Sequence, residues 1–355
     1  MRMLWIGYGQ AGAKIVDALM GMDKKRYAAI VINTEGLDLA GLKNIDEKIL
    51  IGKYRQKGRG VGANIDLSEE MAQKSLSQMM DRIARASRKL DPEAYCIVAG
   101  MAGGTGAGGG HILAKEIRDI YHKPVYGLAV LPSTVGMASD KEALCIANTL
   151  RSTESWRANF DNTLLVDNGQ YEMHEEISET GEPVEKMYQR INEDIAARLT
   201  ILLGAGEAKH PPQEVFGSSE VIATFGQGGG FSTIGHRSEK IRLKSRFWAK
   251  GVKPDEKRLE EIIKESTDES MLTFACDVSG AKAAGLVVYG RPEHLFTQAI
   301  IAGKGHLEQK LKVGEVRYGD YPDKGSTEIG AVTLVSGLTD LPRLNQMKTR
   351  LQELK

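Results

Sequence analysis

Apolar residues recur along this chain in two alternating rhythms. Short continuous runs at residues 3–6, 28–32, 48–51, 95–99, 125–131 and 163–166 have the length and density of strands buried on both faces. Between them, apolar residues fall at helical spacing. One such stretch opens after Gly12 and runs to about Met22. Another covers about 67–90, with Leu67, Met71, Leu76, Met79, Met80 and Ile83 on or near one face. A third begins near Ile112, and a fourth ends near Asn159. This alternation predicts βαβ units, hence an α/β fold with a doubly wound, mostly parallel sheet of Rossmann-like type.

Residues 183–203 break the rhythm. Met187, Ile191, Ile195, Leu199 and Leu202 recur at three- and four-residue steps, which predicts one long helix. It ends at Gly204-Ala205-Gly206 and Pro211-Pro212, where a helix cannot continue. Beyond it, strands are expected near 271–276, 286–289, 315–318 and 331–335, with helices near 255–266 and 292–312 and a short closing helix over 341–355. The expected organisation is an N-terminal domain over 1–182, a central helix over 183–206 and a smaller α/β domain over 207–355.

Charge narrows the function classes. The chain has 47 Lys+Arg against 47 Asp+Glu in 355 residues, so the basic excess of a nucleic-acid or membrane-surface protein is missing. Cys96, Cys145 and Cys276 show no CxxC spacing, and the histidines form no metal-binding cluster. No apolar run approaches the roughly 20 residues that cross a bilayer. Met1-Arg2 lead straight into a strand pattern without a leader. A cytoplasmic protein with no nucleic-acid partner and no integral membrane segment is expected.

Glycine is in excess, with 40 residues, and two clusters place it where chemistry is possible. Gly7-x-Gly9-x-x-Gly12 follows a strand and opens a helix. Glycine there lets the backbone approach a phosphate, and the helix N-terminus supplies free N–H groups and a positive dipole. Every dinucleotide site shares this spacing. With Glu35 near the end of the second strand it also fits the ribose-binding acid of an NAD(P)-dependent oxidoreductase. The second cluster, Gly100-Met101-Ala102-Gly103-Gly104-Thr105-Gly106-Ala107-Gly108-Gly109-Gly110, has seven glycines in eleven residues between a strand and a helix. Consecutive N–H groups turned inward there make an anion-binding nest, with the Thr105 hydroxyl beside it. No GxxxxGK[ST] occurs in the chain.

Gly103-Gly104-Thr105-Gly106-Ala107-Gly108 resembles the glycine signature of the tubulin/FtsZ superfamily of GTP-binding polymer proteins. Other landmarks follow in that superfamily's order. Gly7–Lys14 resembles its first nucleotide loop, Val31-Ile32-Asn33-Thr34-Glu35 its second, and Gly60-Val61-Gly62-Ala63-Asn64 the FtsZ loop near the γ-phosphate. Asp167-Asn168-Gly169-Gln170-Tyr171 and Tyr188-Gln189-Arg190-Ile191-Asn192 are tubulin-like. The mixture is most similar to the archaeal CetZ group. Ala102 and Ala107 depart from the signature, where the family has glycine and a hydroxyl residue.

The resemblance implies a GTP/GDP site with Mg²⁺, in which Gln10, Ala11, Gly12, Ala13, Lys14, Asn33 and residues Gly103, Gly104, Thr105, Gly106, Ala107 and Gly108 meet the nucleotide. It implies that Glu142 binds the ribose, that Tyr188 stacks on guanine, and that Asn168 and Asn192 pair with it. From the residues alone, Tyr188 and Asn192 stand four apart and so share a helix face. The resemblance further implies head-to-tail self-assembly, with a loop after the long helix reaching the next subunit's nucleotide. In Glu214–Val221 that loop keeps one acid, Glu220, and has Val215 and Gly217 where FtsZ carries further polar residues. A slow, polymerisation-coupled GTPase that controls cell shape is the expectation; a nucleotide-gated scaffold and the NAD(P)-dependent oxidoreductase are the alternatives. Gly226-Gln227-Gly228-Gly229-Gly230 reads as a mobile surface loop.

Overall fold

The computed structural model describes residues 1–53, 60–173, 183–207, 212–241 and 254–354. These residues group into two compact units. One comprises Arg2–Ala197 together with Leu341–Lys355, and the other comprises Met1 and Arg198–Asp340. This cut differs from the expected boundaries in two ways. It divides the long helix about two-thirds of the way along, between Ala197 and Arg198, and it places the helix near the end of the chain with the N-terminal unit.

In the first unit, β1 (Met3–Tyr8), β2 (Ala28–Asn33), β3 (Glu47–Leu50), β4 (Ala94–Gly100), β5 (Val125–Leu131) and β6 (Asn162–Asp167) form a parallel array in the order β3-β2-β1-β4-β5-β6. Every residue of β1, β5 and β6 is buried, which is why β1 and β5 are near-continuous apolar runs without alternation and β6 carries Leu164-Leu165-Val166 between buried polar ends. The connecting helices are α1 (Gly9–Met22), α2 (Gly36–Ala40), α3 (Ile65–Lys74), α4 (Leu76–Leu90), α5 (Thr105–Tyr121), α6 (Ser139–Asn159) and α7 (Asn168–Met173). The predicted single helix over 67–90 is two. Ser75 leaves helical backbone at φ −101°, ψ 5° and separates α3 from α4. Asn64 starts α3 by accepting from Leu67 N at 2.9 Å.

Helix α5 starts at Thr105, inside the glycine cluster and earlier than the expected Ile112. The later glycines of that cluster serve packing. A Cβ on Gly108 would stand 2.6 Å from Ile65 O, and one on Gly110 would stand 2.7 Å from the Trp156 ring. The long helix is α8 (Val184–Gly204).

The second unit contains α9 (Ser218–Gly228), β7 (Phe231–Lys240), α10 (Glu256–Glu265), β8 (Ala283–Gly290), α11 (Thr297–Leu311), β9 (Val316–Pro322) and β10 (Glu328–Ser336). Its strands run β7-β10-β8-β9, antiparallel except for the parallel β8–β9 pair. The expected strand over 271–276 is instead a 3₁₀ turn, Glu269–Met271, followed by a single bridge from Leu272 to Gly235. The expected mobile loop over 226–230 is the end of α9 and the turn into β7, with Gly229 and Gly230 both at φ 59°. The chain closes with α12 (Pro342–Glu353), which belongs to the first unit and packs on α6. Among the described residues no helix is long and apolar enough to cross a membrane.

Candidate functional site

A cleft of about 460 Å³ opens at the carboxyl ends of the parallel strands in the first unit, the place where doubly wound sheets bind ligands. Its floor is the meeting of two helix starts. Gly9 opens α1 at φ 74°, and a Cβ there would lie 3.0 Å from Gly106 N. A Cβ on Gly106 would lie 2.7 Å from Tyr8 O. Only glycine at both positions lets the two helices begin side by side. Neither start is capped by a side chain, and neither carries an acid in its first turn. Two sets of unpaired N–H groups and two positive dipole ends therefore face one space, which is an anion site.

Polar contacts fix the walls. Thr34 Oγ1 and Thr105 Oγ1 are 2.7 Å apart and buried, so the loop after β2 is joined to the start of α5. Asp38 takes Gln10 Nε2 at 3.1 Å on one oxygen and Asn33 Nδ2 at 2.9 Å on the other, holding two lining amides together. Asn148, on α6, donates to Ala63 O at 2.8 Å and to Ala102 O at 3.1 Å, tying the 60–64 loop to the 100–104 loop. Ser152 Oγ donates to Met101 O at 2.8 Å, and Ser68 Oγ to Thr105 O at 3.0 Å.

The expected site residues divide sharply by where they stand. Gln10, Ala11, Asn33, Gly103, Gly104, Thr105, Gly106 and Asn168 line the cleft. Gly12, Ala13, Lys14, Ala107 and Gly108 are outside the lining. At Gly12 the helix lies against β4, and a Cβ would overlap Val98 O. Ala13 and Ala107 are packed at 1% exposure, and Lys14 points to solvent.

Glu142 is also outside the lining. Both of its carboxylate oxygens are taken, at 3.0 Å each, by the Arg350 guanidinium of α12, which holds the carboxyl below its usual range. Tyr188 and Asn192 are half-buried on α8 and do not line the cleft either. Tyr188 OH donates to Glu172 at 2.7 Å; burial, and then the carboxylate beside it, push the phenol up to about 12.

In the second unit Glu220 lies in the first turn of α9, not in a loop. Its Oε2 accepts from Gly217 N at 2.9 Å and from Ser219 Oγ at 3.1 Å. Sequence reasoning passed over Asp38, Asn148 and Ser152, which hold the cleft in place; it left Thr34 without a role, and nothing in it pointed to the arginines of α12.

Residues 2–173 match the Tubulin/FtsZ family GTPase domain, and residues 181–353 match the tubulin-like CetZ C-terminal domain. The tubulin-like protein CetZ1 of Haloferax volcanii is 36% identical, over 98% of this chain and 91% of its own. The chain belongs to the tubulin-like CetZ family. A CetZ1 structure from Haloferax volcanii, a GDP-bound monomer, superposes with a TM-score of 0.83 at 34% identity, covering 99% of both chains. CetZ2 from the same organism, a GTPγS-bound protofilament, gives 0.85 at 28% identity over 100% of this chain and 98% of that one. For a CetZ chain, the Gly7–Gly12 turn and Glu35 belong to the GTPase domain. The oxidoreductase alternative is thereby set aside.

Proposed function

We propose that this CetZ-family chain binds a guanine nucleoside triphosphate in the cleft and hydrolyses it slowly within a head-to-tail polymer that governs cell shape. The observation that carries the reading is the pair of uncapped helix starts meeting at Gly9 and Gly106, which offers one anion two sets of N–H donors. The phosphates would lie over residues 103–106 and 9–11, with the base toward Asn168. Guanine is chosen because CetZ1 and CetZ2 of Haloferax volcanii are GDP- and GTPγS-bound, and assembly because that CetZ2 forms a protofilament.

The donor set of the lining supports Mg²⁺ as companion. The described lining residues include the carboxylates Glu35 and Asp38 but no lysine or arginine. Charge on the phosphates is then balanced by the helix starts and by a cation that keeps several of its own waters.

Glu220 is the proposed group for orienting water on the neighbouring subunit's γ-phosphate. Its Oε1 is contacted by Ser219 Oγ at 3.3 Å, while Oε2 carries the bond to Gly217 N. A carboxylate already engaged in its own helix start, with Val215 and Gly217 at the other positions, accounts for slow turnover. Tyr188 and Asn192 are kept as proposed base contacts: the Tyr188 hydroxyl is held by Glu172, a bond that does not engage the face of the ring used in stacking.

The test is phosphate release from GTP and from ATP as protein concentration rises, with pelleting in parallel and with EDTA in place of Mg²⁺ as control. GTP-specific, Mg²⁺-dependent release that rises steeply with pelleted protein is expected. Equal release from ATP, or release that does not follow assembly, overturns the reading. Pelleting with GTP but no release turns the protein into a nucleotide-gated scaffold.

A further inference from the structure

The terminal helix α12 delivers a guanidinium to the ends of two cleft-forming strands. Arg343 Nη2 donates to Pro132 O at 3.4 Å, and Nε lies 3.5 Å from Asp167 Oδ2. Pro132 follows β5 and Asp167 closes β6; Leu131, Pro132 and Asn168 all line the cleft, whereas Arg343 does not. Asp167 Oδ1 in turn accepts from Gly169 N at 2.9 Å, which sets the first turn of α7 and the backbone of Asn168. Gly169 makes room for this arrangement, since a Cβ there would stand 3.3 Å from Arg343 Nη2.

We propose that Arg343 is a positioning residue for nucleobase recognition: by holding the Asp167 carboxylate and the Pro132 carbonyl, it fixes where Asn168 presents its amide. The proposal rests on the reading of the cleft as a guanine-nucleotide site. Asp167 is 6% exposed, and a carboxylate so buried needs partners for its charge. Burial pushes its carboxyl up and Glu172 adds to that, while Arg343 and the N–H groups of Gly169 and Gln170 pull it down. Without Arg343 the carboxyl takes up a proton at a higher pH than before. A protonated Asp167 is a weaker acceptor, and the first turn of α7 loosens.

The experiment titrates GTP, ATP and inorganic tripolyphosphate into the full-length protein with Mg²⁺ by calorimetry, between pH 6 and 8. It compares wild type with Arg343→Gln, Arg343→Lys and Met347→Ala. Met347 is a buried anchor of the same helix, so its truncation weakens α12 without reaching the strand ends. Arg343→Gln is expected to lose about tenfold in GTP affinity, as the ion pair to Asp167 and the contact to Pro132 O are lost together. Tripolyphosphate affinity holds, so the preference for GTP over ATP narrows. The deficit grows as the pH is lowered, and Arg343→Lys, which keeps a charge near Asp167, reduces that growth. Met347→Ala lowers the melting temperature but keeps the GTP-to-ATP ratio.

An unchanged ratio in Arg343→Gln overturns the proposal, as does an equal narrowing in Met347→Ala, which would make Arg343 a plain anchor. A wild-type protein that binds tripolyphosphate but does not prefer GTP fails the guanine reading itself, and the proposal with it.

Discussion

Gly9 and Gly106 stand where two helices begin, and a Cβ on the first would come within 3.0 Å of the nitrogen of the second. The cleft's floor is thus main chain against main chain. Its chemistry is that of N–H groups, and side chains act there mainly by their absence.

Gly106→Ala therefore tests the floor directly. The new methyl would meet Tyr8 O at 2.7 Å and Ala99 Cβ at 2.8 Å, and two packed elements must separate to admit it. Overpacking of this kind costs about 1–3 kcal/mol. The expected outcome is a folded protein of lower melting temperature with GTP affinity reduced at least ~10-fold, measured by calorimetry. Wild-type affinity in a folded Gly106→Ala protein would remove the floor from the phosphate site.

Asn148 never touches the cleft, yet it braces two of its loops. Asn148→Leu keeps the branched shape of the side chain and removes both bonds, to Ala63 O and to Ala102 O. At about 1 kcal/mol for each hydrogen bond, a loss near 2 kcal/mol in urea unfolding is expected, together with weaker GTP binding. A stability loss with no change in binding would show that the loops hold their places unaided.

The Glu142–Arg350 pair makes stability depend on pH, with a definite sign. Arg350 holds the Glu142 carboxyl below its ordinary value in the folded chain. A depressed carboxyl contributes stability above its unfolded value of about 4.3, and loses it as pH falls through the lower folded value. The gap in stability between wild type and Arg350→Gln should be full at pH 6 and should close below about pH 4. Urea melts across that range read it. A gap independent of pH would mean that the guanidinium acts through packing alone.

Glu220 has two separable tasks, closing a helix start and, in the proposed polymer, acting on a neighbour. Glutamine still accepts from Gly217 N as a capping residue but cannot supply a carboxylate. Glu220→Gln should keep the wild-type melting temperature and GTP binding while hydrolysis falls by about 10²–10⁴. Glu220→Ala should in addition lower stability by about 1 kcal/mol. Wild-type turnover per assembled protein in the glutamine variant would leave only the capping task.

What could be read from the sequence follows from which interactions are local. Strands β1, β5 and β6 are buried along their whole length, so composition alone marks them. Strand β7 hides because its sequence is FSTIGHRSEK, and its buried hydroxyls are satisfied across the fold, Ser232 by Ser336 and Thr233 by Thr273. Helix α9 hides between glycines at 217 and 228–230, and depends on packing by Val221 and Phe225. At the cleft, residues on the strand-to-helix turns line the space, whereas neighbours one or two residues further, such as Ala107 and Ala13, are consumed in packing. The Thr34–Thr105 pair joins residues 71 apart, and the Arg343–Pro132 contact joins residues 211 apart. No local pattern announces such meetings.

The placement of α12 bears on how the protein is made. The first unit comprises Arg2–Ala197 and Leu341–Lys355, with all of Arg198–Asp340 synthesised in between. A nascent chain emerging from the ribosome can form the six parallel strands early, but Arg343 and Arg350 reach Pro132, Asp167 and Glu142 only after all of Arg198–Asp340 has been synthesised. Chains interrupted before that point lack the braces that Arg343 and Arg350 give to the strand ends and to α6.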